Sequence, residues 1–173
     1  PNGYVTFAYD LTPYLHCGTD NCIAIKVDRS RYNDSRWYTG SGIYRDVYLV
    51  YADPVHIGQW GISCHTEHIT SRKAGLSLKT VLVNTTDTPL TLEVEQMLYD
   101  EKSKTPEAKT TGKIRLKQQS EDTIEQKFTV PSPRLWSPAR PELYLLKTSL
   151  IYGGKIIDET LTSTGIRTLA FDP

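Results

Sequence analysis

Apolar and polar residues alternate along most of the chain after Pro54, in short runs separated by turn-forming residues. Leu90, Leu92 and Val94, for example, alternate with threonine and glutamate. A period of two turns one side of a strand toward a core and the other toward solvent, so the pattern predicts half-buried strands. Candidate strands lie near 55–66, 75–84, 90–100, 112–119, 122–130, 143–152 and 155–163, with a loop predicted from Asp100 to Thr111. Short strands at this spacing predict an all-β sandwich, and no window has the sustained 3.6-residue apolar period of a helix.

The chain before residue 52 has fewer candidate elements. Residues 4–9, 21–28 and 43–51 have the alternation or the β-branched and aromatic content of strands, and Asp10 is placed to cap one short helical turn. About three strands are marginal as an independent sheet, so this part is expected to be the tail of a domain that begins earlier. The sequence therefore predicts two parts, residues 1–51 and residues 52–173.

Charge and composition exclude some classes of partner. The sequence has 20 Lys and Arg residues against 20 Asp and Glu residues, so no net field attracts nucleic acid or an anionic membrane surface. No apolar run approaches the roughly 20 residues that span a bilayer. We therefore expect neither nucleic acid nor a membrane as a partner.

The residues that carry metal or nucleophile chemistry do not form a recognisable site. The three cysteines have no zinc-ligand spacing with histidine. Cys17 and Cys22 flank a turn and could approach each other, but free thiols are favoured. On a strand, His65 and His68 point to opposite faces, so they are interpreted as surface residues. The carboxylate pairs Glu93/Glu95 and Asp100/Glu101 are likewise expected to be solvated, and no complete active site is visible.

One stretch, residues 32–47, combines aromatic rings with Asp, Asn and Arg in a glycine-containing loop. Rings can stack on the C–H faces of sugars while the polar groups bind hydroxyls. The structural alternative is an aromatic corner that fills the end of a sandwich, with Arg45 and Asp46 as an internal salt bridge. Residue chemistry alone leaves both interpretations open.

Three ordered motifs resemble family 2 glycoside hydrolases. Trp37 and the run Ser41–Val47 resemble the family's Trp-containing loop and its Gly-Ile-Tyr/Phe-Arg-Asp/Asn-Val strand. Residues 133–144 resemble the Leu-Trp-Ser-Pro segment late in its immunoglobulin-like domain. Residues 165–172 are similar to the strand that runs into its catalytic barrel. The opening of the chain also resembles the end of the family's jelly-roll sugar-binding domain.

This resemblance implies an immunoglobulin-like β-sandwich (52–173) preceded by a partial, galactose-binding-like jelly-roll segment (1–51). It also implies a retaining exo-glycosidase of the β-galactosidase type, with both catalytic glutamates in a barrel after Pro173, so this chain would have no catalytic residue, no metal ligand and no cofactor. The longer protein would use magnesium or sodium, bind carbohydrate through its barrel and form a homo-oligomer. The family's acidic loop residue that contacts galactose maps to Asp34, with Arg36 and Trp37 beside it.

The alternative function is a stand-alone carbohydrate-binding module. It predicts an exposed aromatic platform formed by Trp37 and Tyr38, with Trp60 or Trp136 as further members. For Trp136 the flanking prolines favour a ring buried in the core.

Overall fold

The computed structural model describes residues 5–28, 30 and 42–169. The chain divides into two units, Pro1–Leu49 and Val50–Pro173. None of the described residues belongs to a helix that is both long enough and apolar enough to cross a membrane.

The second unit is a β-sandwich of two antiparallel sheets. Strands β1, β2 and β5 form one sheet in the order β1-β2-β5, and the other sheet has the order β4-β3-β6-β7. The bounds are β1 Val55–Ile69, β2 Lys73–Asn84, β3 Leu90–Asp100, β4 Pro106–Leu116, β5 Ser120–Pro131, β6 Tyr144–Tyr152 and β7 Lys155–Thr164. Because β4 pairs with β3 rather than with β5, the sandwich has three strands in one sheet and four in the other. This is an immunoglobulin-like arrangement, and it confirms the all-β fold.

The alternation seen in the sequence determines which side of each strand faces the core. On β3 the side chains alternate between buried and half-buried positions from Leu92 to Asp100. The buried side chains of both sheets form two apolar clusters. One cluster includes Leu76, Leu98 and Leu146, and the other includes Leu82 and Leu150.

A layer of polar residues separates these two clusters in the middle of the core. Thr80, Gln96, Gln126 and Thr148 are each buried, and each lies on an inward position between apolar neighbours of its strand. The side-chain amide of Gln96 donates to the Thr80 hydroxyl at 2.7 Å and to Oε1 of Gln126 at 3.2 Å. The amide of Gln126 in turn donates to the carbonyl of Val94 at 3.1 Å. The hydrogen bonds of the Gln96 and Gln126 amides offset part of the cost of burial and join the two sheets, while Oε1 of Gln96 and the hydroxyl of Thr148 have no partner among the described residues.

The predicted loop from Asp100 to Thr111 is wrong in its second half. Strand β4 already begins at Pro106, which lies opposite Tyr99 of β3. Its first residues, Pro106 to Lys109, are exposed or half-buried, because β4 is an edge strand, and proline is tolerated at the first position of such a strand.

The three strands predicted before residue 52 are absent from the described part of the first unit. Its one regular element is the 3₁₀ turn Thr12–Tyr14, where the Asp10 carboxylate accepts a hydrogen bond from the backbone N–H of Thr12 at 2.9 Å. Extended residues such as Phe7, Ile23 and Ile25 expose more than half of their side chains. A strand requires a ladder partner, and the described residues of this unit provide none. The jelly-roll identity of residues 1–51 therefore stays a prediction.

Candidate functional site

The residues predicted to contact substrate, Asp34, Arg36 and Trp37, lie outside the described residues, as does Tyr38. Their role stays a prediction. The structure describes the segment that follows them, beginning at Gly42, whose φ of +128° is a backbone conformation that favours glycine.

The residues after Gly42 do not form the predicted internal salt bridge. The Arg45 guanidinium carbon lies 5.3 Å from the centroid of the Tyr44 ring. The Asp46 carboxylate instead accepts a hydrogen bond from the hydroxyl of Tyr48 at 3.0 Å. Arg45 and Asp46 therefore have different partners.

Carboxylates of the second unit are paired with cations across neighbouring strands. Glu95 lies 2.7 Å from Lys109, and Glu93 lies 3.8 Å from Lys113. Glu159 lies 2.8 Å from Lys147, and this lysine, followed by the Ser149 hydroxyl, lowers the pKa of the Glu159 carboxyl. The pairs lie on the outer face of the four-stranded sheet, which confirms the surface interpretation of Glu93 and Glu95.

Asp100 differs from the solvated residue that the sequence predicts, because it is only 7% exposed. The backbone N–H of Ser103, followed by that of Lys102 and the charge of Arg134, lowers the pKa of this carboxyl. Arg134 forms an ion pair with Asp100 and a second one with Glu142 at 3.2 Å. A turn of backbone donors and one arginine therefore hold Asp100 ionised, which is a structural role.

Trp136 is half-buried and does not belong to either apolar cluster, so the prediction of a core position is wrong. Its backbone N–H donates to the carbonyl of Ile166 at 2.9 Å, beside a parallel bridge between Leu135 and Ile166. The ring therefore lies at the edge of the sandwich, where the chain leaves β7.

Histidine and cysteine form no metal site among the residues that the structure describes. His65 and His68 are exposed, which agrees with the surface interpretation. All three cysteines are unpaired: Cys17 and Cys22 are exposed, while Cys64 is half-buried. Burial raises the pKa of the Cys64 thiol, partly offset by a hydrogen bond with Thr164. A thiol whose pKa is raised is a poor nucleophile, because less of it is ionised at neutral pH.

The backbone conformation of Trp60 is not predicted by the sequence analysis. It is 70% exposed and has a φ of +53° within β1. Glycines at 58 and 61 interrupt the alternation of that strand, and this spacing is the signal that could have identified a bulge.

Comparison with known proteins identifies the class to which this sandwich belongs. The sequence pattern of glycosyl hydrolases family 2 matches residues 55–167, from the first strand of the sandwich to the segment after β7. The chain belongs to this family, which confirms the resemblance found in its motifs.

Named relatives and solved structures support the same family. A β-galactosidase from Bacteroides ovatus is 38% identical over 173 residues, covering 99% of this chain and 20% of that protein. A β-glucuronidase from Formosa agariphila is 25% identical over 190 residues, covering 98% of this chain and 19% of that protein. The crystal structure of a β-glycosidase from Bacteroides vulgatus is 31% identical, with a TM-score of 0.81 over 100% of this chain and 21% of that one. The chain thus spans about a fifth of the length of these relatives.

Proposed function

We propose that this chain is the non-catalytic part of a retaining exo-glycosidase that removes terminal β-linked galactose. The choice of galactoside is supported by the 38% identity to the Bacteroides ovatus β-galactosidase, against 33%, 30% and 25% to three Formosa agariphila relatives whose names include β-glucuronidase. Both catalytic glutamates would then lie in a barrel outside this chain. The proposal also includes magnesium or sodium in the longer protein, carbohydrate binding through its barrel and a homo-oligomeric assembly.

The non-catalytic assignment is supported by the described carboxylates whose pKa is shifted. A glycosidase acid needs a raised pKa, and its partner carboxylate must lie about 5–5.5 Å away in a retaining enzyme. Backbone N–H groups instead lower the pKa of Asp100, and lysine partners lower the pKa of Glu125 and Glu159. Such carboxylates stay ionised at neutral pH, so they cannot protonate a leaving group.

Substrate contact from this chain is assigned to the loop that holds Asp34, Arg36 and Trp37. Support comes from the motif that follows the loop, Gly42 to Val47, and from membership of the family. In this proposal the sandwich of the second unit is a rigid scaffold, and the loop borders the active site that the barrel provides.

The experiment uses the longer protein and p-nitrophenyl β-D-galactoside. Replacing Asp34 by Ala removes a charged hydrogen-bond partner worth about 1.5–3 kcal/mol. We expect kcat/KM to fall by about one to two orders of magnitude, at about 1.4 kcal/mol per factor of ten, with an unchanged melting temperature. Asp20→Ala, an exposed position in the same unit, is the matched control and should retain full activity.

Two results would contradict the assignment. If Asp34→Ala lowers the melting temperature and leaves the kinetics unchanged, the residue only stabilises its own loop. If p-nitrophenyl β-D-glucuronide is hydrolysed with the higher kcat/KM, the galactoside is the wrong substrate class.

A further inference from the structure

Strand β1 has a four-residue bulge within its pairing with β2. Ile57 lies opposite Leu82 and Ile62 lies opposite Thr80, so the four residues Gly58–Gly61 of β1 face the single residue Val81. Bulges re-aim side chains at sheet edges. Here the bulge exposes the side chain of Trp60.

Close contacts constrain the residues at both ends of the bulge, Ile57 and Gly61. A Cβ at Gly61 would lie 2.6 Å from the carbonyl oxygen of Gly58 and 3.0 Å from Cβ of Val81, so a side chain does not fit there. The backbone N–H of Ile57, just before the bulge, donates to the Asp158 carboxylate of β7 at 2.8 Å. Close packing at Gly61 and the hydrogen bond of Ile57 to the other sheet therefore constrain the backbone at both ends of the bulge.

Packing does not explain why tryptophan occupies this position. A φ of +53° is a left-handed conformation that is unfavourable for a bulky side chain. The indole is 70% exposed, so burial in this unit offsets little of that cost. Strained residues held by their surroundings are typical of binding sites.

We propose that Trp60 is a stacking platform for one pyranose ring, a carbohydrate site that goes beyond the function proposed above. The indole offers a flat apolar face, and Gln59 before it and Ser63 just after the bulge are exposed polar residues of β1. One aromatic face among hydrogen-bonding groups matches the chemistry of a sugar ring.

The experiment follows the indole N–H signals of the 173-residue chain by ¹⁵N NMR during titration with methyl β-D-galactopyranoside. The Trp60 signal should shift saturably, with a dissociation constant in the millimolar range, while the Trp136 signal should not shift. Sorbitol at equal concentration is the control for non-specific polyol effects, because it has hydroxyl groups but no ring face.

Variants test whether the ring itself binds. Trp60→Asn removes the indole while keeping a residue that tolerates a left-handed backbone, and it should abolish the sugar-dependent shifts of the Gln59 and Gly61 amides. Trp136→Phe should retain those shifts. The proposal is overturned by a linear response, an equal response to sorbitol, shifts that survive in Trp60→Asn, or broadening of the Trp60 signal with protein concentration alone, which would indicate self-association. Because the readout requires no hydrolysis, its failure would leave the kinetic test of Asp34 intact.

Discussion

The guanidinium carbon of Arg167 lies 4.4 Å from the centroid of the Trp136 ring. A Cβ at Gly165 would lie 3.0 Å from the same tryptophan. The half-buried ring is thus held by a cation and by a glycine, each on the segment that follows β7.

This arrangement predicts a moderate effect of removing the ring. Trp136→Ala should lower the free energy of unfolding by about 2 kcal/mol, below the 3–5 kcal/mol typical of a fully buried aromatic residue. Urea titration measures this loss. A loss above about 4 kcal/mol would show that the ring is part of the core, and one below about 0.5 kcal/mol would show that it contributes nothing.

Gly165 provides the matched test of the same contact. Gly165→Ala should destabilise the native chain, because its new methyl group would press on Trp136. In a Trp136→Ala background the same substitution should cost less, with a coupling of about 0.5–3 kcal/mol in a double-mutant cycle. Equal costs in both backgrounds would mean that the tryptophan is not what restricts position 165.

The buried polar layer predicts that its members act together. Gln96→Leu should cost about 1–3 kcal/mol, because the Thr80 hydroxyl and Oε1 of Gln126 lose their donor inside the core. The double variant Gln96→Leu/Gln126→Leu should lose less stability than the sum of the two single variants, since no amide is then left unpaired. Additive losses in urea titrations would contradict a coupled network.

The lowered pKa of the Asp100 carboxyl predicts how the stability of the fold depends on pH. The Ser103 N–H, the Lys102 N–H and Arg134 lower its folded-state pKa below the ordinary value of 3.8. A lowered folded-state pKa stabilises the fold above the unfolded-state pKa, and this contribution is lost as pH falls through the folded-state value. The urea concentration at the unfolding midpoint of the native chain should therefore decrease as the pH is lowered below about 4.

The variant Asp100→Asn isolates that contribution. It should be less stable than the native chain at neutral pH, and the difference should shrink as the pH is lowered through the acid range. Asp122→Asn, at an exposed position of β5, should follow the native chain at every pH. A difference for Asp100→Asn that stays constant with pH would mean that ionisation of Asp100 does not stabilise the fold.

The two units should differ in hydrogen exchange. Strands β2 and β3 each pair with a strand on both sides, so amides such as those of Leu78 and Leu98 should exchange most slowly. Ile23 and Ile25 lie in a unit without strands among its described residues and should exchange within the fastest class. Equal protection of Ile25 and Leu78 in the isolated chain would contradict this division.

The sequence predicted the sandwich well because alternation is a local signal. Where the period of two is regular, as on β3, the predicted bounds 90–100 match the structure. Strand β4 was placed too late because Pro106 and the polar residues after it resemble a loop, and only its pairing with β3 makes them a strand. The strands predicted in the first unit failed for the same reason, since pairing is not encoded in any one segment.

The candidate sites were less accessible to sequence reasoning. A polar residue at an inward position, such as Gln96 between Val94 and Leu98, shows that alternation is broken but does not show its partners. The exposure of Trp60 depends on a bulge that forms against Val81 on another strand. Trp136 was assigned to the core from its flanking prolines, which indicate a turn but carry no information about burial.

The most direct test of the central claim, that this chain is a non-catalytic part of a family 2 glycoside hydrolase, is a hydrolysis assay of the purified 173-residue chain. The substrates are p-nitrophenyl β-D-galactoside and p-nitrophenyl β-D-glucuronide, measured against a blank without protein. The account predicts no release of nitrophenol above the blank from either substrate, because it places both catalytic glutamates in a barrel outside this chain. Turnover that persists through repurification and disappears when the chain is unfolded by urea would contradict it.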